Sequence, residues 1–288
     1  MAYRKILVPL MGGAHDSHIL STAFEVAKAF GSHVSGVFVR PDPSEVLPYL
    51  GEGVSAGVIQ EIMDASRDAA NRAAAVARGN LDGAAKVAGA SVFDAGQAGN
   101  GVGASFHVRD GMLEDVLTEE ARLSDLVVFE TPSQTREAIL QSAIESVLLN
   151  GRKPLLIVPH QASKIVGAKA AIGWDGGAAA AHAISGAIPL LARAEGVEIL
   201  NVTTGPIDTV QMDRLRDYLR LHGLSVVEHG INPGSQSTAH ALIDGAQRAG
   251  AGLLVIGGYG HSRLREMVLG GVTRHVFANA TMPIFMAH

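Results

Sequence analysis

Short, uninterrupted apolar runs recur along this chain, each followed by a glycine-rich or polar turn and then an alanine-rich stretch of helical pattern. The first run, Ile6-Leu7-Val8-Pro9-Leu10-Met11, enters Gly12-Gly13. Residues 17–30 then read as a helix ending at Gly31, a residue suited to a left-handed C-cap, and residues 34–39 as the next strand. The same order returns later. Ala170-Ala171-Ile172-Gly173-Trp174-Asp175 enters Gly176-Gly177, residues 178–194 read as a helix capped at Gly196, and residues 197–202 as a strand. Residues 105–109 and 225–229 have the pattern of a third strand in each half. The halves also end alike, with strands predicted over 125–129 and 152–159, and over 252–256 and 281–286.

Strands that alternate with helices of ten to fifteen residues imply parallel βαβ units with right-handed crossovers. The expected fold class is therefore α/β: two tandem open, mostly parallel five-stranded sheets with helices on both faces. A short polar stretch, His160-Gln161-Ala162-Ser163-Lys164, separates the halves and gives domains at 1–160 and 165–288. The first carries a long insertion over 41–101, helical in pattern at 55–78; the second has only a compact helix at about 208–222.

The length of 288 residues fits two such domains, and with 47% apolar and 18% charged residues both can bury a core. Aromatic residues make up only 5% and the net charge is -5, which argues against a nucleic-acid surface or attraction to an anionic membrane. Cysteine is absent, so disulfides, thiolate nucleophiles and cysteine metal sites are excluded. The amino-terminal residues show no signal-peptide pattern and no apolar run is long enough for a transmembrane helix, so a cytoplasmic location is expected.

The stretch with most chemical content follows the strand at 252–256 and reads GGYGHSRLREMVLGGVTRHV, residues 257–276. In an open parallel sheet, ligands bind beyond the carboxyl ends of the strands, where the strand order reverses. Glycine there permits close approach of backbone to phosphate, and a helix opening at Gly270-Gly271-Val272-Thr273 would aim free N–H groups at an anion. The bland alternative is that the glycines only turn a strand into a helix. No G-K-[ST] follows them, and Gly258-Tyr259-Gly260 lacks the third glycine of a dinucleotide loop.

The spacing Gly257, two residues, Gly260, nine residues, Gly270 resembles the ATP-binding signature of the universal stress protein family, and the repeat around it resembles a tandem of two such domains. The resemblance implies ATP or another adenine nucleotide as cofactor, with Mg as an optional companion of the phosphates. It places Asp175 against the adenosine and the backbone of Val202 against adenine. Gly257, Gly260, Gly270, Gly271, Val272 and Thr273 fall on the loop that holds ribose and phosphates, with His261 beside it. Gly271 departs from the family, which has Ser or Thr there; the lost hydroxyl forfeits one hydrogen bond, about 1 kcal/mol. Asp175 has a bland reading as well, as a cap for the following helix.

In the first half Met11 replaces the Asp, and Phe129-Glu130-Thr131-Pro132-Ser133-Gln134 replaces the glycine loop. Glu130 puts a carboxylate where phosphate would sit, and Pro132 removes a donor. That half is expected to bind no ATP, and the inserted helix either caps its vacant pocket or presents an interaction surface. By the same resemblance the halves should pack as a pseudo-dimer through residues 155–159 and 284–287, with a homodimer of the whole chain as a further expectation.

Other constellations weigh less. Arg263, Arg265 and Arg274 have the spacing of a wet helix face as much as of phosphate contacts. His15 and His18 stand three apart, as metal ligands can, without an evident third ligand, so no metal site is expected. Gly12-Gly13-Ala14-His15-Asp16-Ser17 is similar to the SGGxDS loop of the PP-loop ATP pyrophosphatases, but lacks the leading Ser and has one residue too many. No nucleophile, general base or paired carboxylate is evident, so no catalytic residue is assigned and any ATP hydrolysis should be slow. The sequence thus points to an ATP-binding stress-response sensor or regulator. A slow ATPase or adenylating enzyme, or a nucleotide-free scaffold, stand as alternatives.

Overall fold

The computed structural model describes residues 2–41, 55–94, 101–132, 137–159, 164–203, 205–206, 208–259, 276 and 279–288. Its elements run β1 (Lys5–Leu10), α1 (Asp16–Phe30), β2 (His33–Arg40), α2 (Ala56–Ala88), β3 (Ser91–Val92), β4 (Gly103–Asp110), α3 (Leu113–Arg122), β5 (Leu126–Glu130), α4 (Glu137–Leu149) and β6 (Leu155–Val158). They continue with β7 (Ala170–Gly173), α5 (Ala178–Leu191), β8 (Val197–Val202), α6 (Thr209–Leu221), β9 (Val226–Ile231), α7 (Thr238–Arg248), β10 (Leu253–Gly257) and β11 (Ile284–Ala287). The α/β architecture and the mostly parallel pairing follow the apolar pattern.

The strands form one eleven-stranded sheet in the order β3-β4-β2-β1-β5-β6-β11-β10-β7-β8-β9. Each half thus has its first strand in the middle and its last strand innermost. The two expected sheets are fused, because β6 and β11 pair antiparallel, with Ile157 opposite Ile284 and Leu155 opposite Met286. Every residue of both strands is buried. A strand covered on both faces reads as a continuous apolar run, and such an edge is satisfied only by another strand. Across this seam Tyr3 Oη donates to the Gly186 carbonyl at 2.7 Å, and burial pushes its hydroxyl pKa up.

Helices α1, α2, α5 and α6 cover one face around Phe24, Leu81, Ile184 and Leu215. Helices α3, α4 and α7 cover the other around Leu117, Leu148 and Ile243. Gly31 ends α1 with φ +66°, as its position suggests. Gly196 does not cap α5: that helix stops at Leu191, and N–H groups of Arg193 and Ala194 bond the carbonyls of Leu190 and Leu191 in tight turns. Pro189 stands inside the last turn, where it gives the Ser185 carbonyl no helical N–H donor. Helix α2 runs to Ala88, well beyond residue 78, because the stripe Ala77, Leu81 and Ala85 continues into the core at 0% exposure.

On the α3 side of the first half, His33 Nε2 lies 2.8 Å from Ser105 Oγ, which lies 3.0 Å from His107 Nε2. Burial, then Lys5 and His107, hold the His33 pKa below the usual imidazole value. The folded state therefore keeps His33 neutral where the unfolded chain takes up a proton, so stability falls as pH drops through about 6.5. His33→Gln keeps a hydrogen-bonding group but no proton equilibrium, and should flatten the loss of melting temperature below that pH. At the seam, Phe285 is 0% exposed. Phe285→Ala should lower stability by about 3–5 kcal/mol. Denaturant melts followed by circular dichroism and by Trp174 fluorescence should shift together, as one sheet requires.

Candidate functional site

The strand order reverses between β7 and β10, with β8 on the far side of β7, which opens a crevice at their carboxyl ends. Gly173 is level with Leu200 on β8, and the Trp174 N–H donates to the Leu200 carbonyl at 3.0 Å. On the other side Val255 is level with Ile172. Continuing this register sets Asp175 beside Val202, with Gly257 across from the start of the same turn. The three residues assigned from separate strands therefore share one edge. Asp175 is exposed, and its Oδ1 accepts from the Gly177 N–H at 2.8 Å, which shapes the turn before α5. Asp175 does not cap α5, whose N-cap is Gly177 without a side-chain cap bond; it shapes the turn before the helix instead.

Gly257 has a reason that sequence reasoning missed. A Cβ there would lie 2.4 Å from the Ala180 nitrogen and 2.6 Å from the Ala179 carbonyl carbon, so only glycine lets β10 pass the first turn of α5. A Cβ on Gly258 would meet Leu148 and Met286 at 2.7 and 2.8 Å. Close packing against the α5 backbone demands Gly257 whether or not phosphate binds. Tyr259 follows in the left-handed region with φ +57°. Gly260, His261, Gly270, Gly271, Val272 and Thr273, with Arg263, Arg265 and Arg274, lie outside the described residues.

The matching crevice of the first half is built differently. Asp16, only 1% exposed, accepts from the Met11 and Gly12 N–H groups, both at 2.9 Å. Its carboxylate thus occupies the donors that an anion at this turn would need. Asn80 of α2 donates to the Gly13 carbonyl at 3.0 Å, and a Cβ on Gly12 would lie 2.3 Å from the Ala73 carbonyl oxygen. The inserted helix therefore sits directly on the β1–α1 turn. In the second half the residue matching Asp16 is Ala180, which leaves the turn without a helix carboxylate.

Glu130, the counterpart of Gly257, is buried at the end of β5, with His15 Nδ1 3.9 Å from its Oε2. His18 Nε2 instead lies 2.8 Å from the Pro159 carbonyl, so the two histidines turn to different partners. Asp16 and Asn80 carried one sequence signal, a carboxylate five positions after Met11 where the second half has alanine. Only alignment of the halves displays it.

Among the described residues, no helix is long and apolar enough to cross a membrane. Similarity to solved structures extends over the whole chain. A universal stress protein from Archaeoglobus fulgidus DSM 4304 is 14% identical with a TM-score of 0.67, covering 98% of this chain and 95% of its own. A putative universal stress protein from Pseudomonas aeruginosa UCBPP-PA14 is 15% identical with a TM-score of 0.57, covering 99% and 93%. The cytoplasmic domain of a prokaryotic cation chloride cotransporter is 12% identical with a TM-score of 0.51, covering 99% and 95%. At such identities these likenesses establish the fold, and the third host shows that the fold alone does not select a function. No curated protein matches in sequence. The universal stress protein family itself matches residues 2–159, more than half of the chain and the half whose crevice is closed. On that match the chain belongs to the universal stress protein family.

Proposed function

We propose that the chain is a tandem of two universal stress protein domains, 1–160 and 165–288, with a single adenine-nucleotide site in the second. The supporting observation is the asymmetry between equivalent turns. Asp16 fills the donors of the first turn, whereas Ala180 leaves those of the second without a helix carboxylate beside Asp175 and Val202. In this reading Asp175 meets the adenosine, and the Val202 backbone meets adenine. Gly257, Gly260, His261, Gly270, Gly271, Val272 and Thr273 form the strap around ribose and phosphates. When bound, the nucleotide supplies a phosphate chain whose Mg neutralises charge. The chain's own part is to bind and orient it. With no assigned base to activate water, the nucleotide stays intact for long periods, as a cytoplasmic stress sensor or regulator requires, and two such chains associate as a homodimer.

Nucleotide extracted from the denatured protein and identified by mass should be an adenine nucleotide. Added ATP at about 100 times Kd should stabilise the fold by about 2.7 kcal/mol, seen as a thermal shift. Gly260→Val and Asp175→Ala should each remove that shift while the far-ultraviolet circular dichroism persists. Absence of both extracted nucleotide and thermal shift makes the protein a scaffold. A shift unchanged in both variants moves the site elsewhere. Rapid release of phosphate or pyrophosphate by the purified protein replaces the sensor with an enzyme.

A further inference from the structure

The two halves differ on their helical face as well as at their strand ends. Helices α1 and α2 pack along each other, whereas α5 and α6 make little direct contact. Between α5 and α6 lies a cleft of about 500 Å³. Its walls are apolar and aromatic, from Trp174, Ile184, Leu215 and Tyr218, with Ser185 and Arg214 adding polar groups. Gly176 of the β7–α5 turn and Ala181 of the first turn of α5 line it together with Ile184 and Ser185 farther along that helix, so it adjoins the strand-end crevice, although none of Asp175, Val202 and Gly257 lines it.

Two features indicate what the cleft would hold. Trp174 stands where the first half has Leu10, a residue 1% exposed beneath α2. Its indole N–H is buried and has no hydrogen-bond partner among the described residues. With that N–H enclosed by protein, Trp174 presents to the cleft a flat apolar ring surface. The second feature is charge. Along the exposed side of α6, Asp213 is held by Arg216 at 2.7 Å and Asp217 by Arg220 at 3.6 Å. Arg214 has no ion pair among the described residues, so it is the cation at the cleft left to receive an anion. Ser185 Oγ and Tyr218 Oη, 3.0 Å apart, satisfy each other and leave the Tyr218 ring as wall.

We propose that the α5–α6 cleft is a second ligand site, separate from the strand-end crevice, for a small flat aromatic anion. The ring lies against Trp174, Ile184 and Leu215, and its carboxylate or similar group meets Arg214. The volume suits such a molecule, since small-molecule sites are mostly apolar and of roughly 300–1,000 Å³.

Trp174 is the only tryptophan of the chain, so it gives a single indole N–H resonance in a proton–nitrogen correlation spectrum. Titration of the full chain with naphthoate should move that resonance saturably. Arg214→Gln, an exposed change, should weaken naphthoate roughly ten-fold and leave neutral naphthalenemethanol unaffected. Ser185→Phe should fill the cleft and abolish the response while the far-ultraviolet circular dichroism persists. Saturating ATP should leave naphthoate affinity as it was. A resonance that stays still at millimolar naphthoate overturns the proposal, and so does equal affinity of the Arg214 variant. Displacement by ATP overturns it too, because the cleft would then be part of the nucleotide site. These titrations need no bound nucleotide, so they stand or fall independently of the nucleotide reading.

Discussion

The antiparallel pairing of β6 with β11 is the constraint on which the molecule depends. Each half ends in a strand of fully buried residues, and a buried strand with an open edge leaves a row of backbone donors and acceptors without partners. Joining the two last strands satisfies both edges at once and makes eleven strands continuous. It also fixes the rest of the arrangement. With the last strands innermost, the first strands and their turns fall symmetrically on either side, and the outermost positions go to β3 and β9.

Within that frame the halves have been specialised by a few substitutions at matching positions. Asp16 against Ala180 decides whether a helix carboxylate fills the turn after the first strand. Glu130 against Gly257 decides how close the next helix can come to the strand end. Leu10 against Trp174, with a long α2 against a short α6, decides whether the helical face is filled or cleft. Each contrast works through packing distance or donor satisfaction, and each favours a closed first half and an open second half. The family match on the closed half is consistent with this, because a family is recognised by its fold-determining residues as well as by its site.

Much of the fold was legible because strands and helices announce themselves by local period and by their breakers. Gly31, the apolar runs at 253–256 and 284–287, and the N-cap Asp208 of α6 all act within a few residues of themselves. The site was legible only in part. Glycine spacing pointed to the end of β10, yet Gly257 answers first to Ala179 and Ala180, residues far away in sequence. The buried carboxylate of Asp16 and the reach of Asn80 across 67 residues to Gly13 have no local signature. Nor does the stop of α5 at Leu191, five residues before the glycine expected to mark it.

By itself the sequence determined the class of structure: apolar runs too buried for anything but a covered parallel sheet, alternating with helices in two similar halves. Those patterns are local, and local periodicity survives without any knowledge of the partner. Only the tertiary structure decided which of the equally apolar strands became neighbours. It also decided that α2 lies on the Gly12 turn, and that α5 and α6 stand apart. Interchangeable Val, Leu and Ile side chains do not encode pairing or separation, which come from chain connectivity, from steric contact such as Gly12 against Ala73, and from the need to satisfy every buried donor.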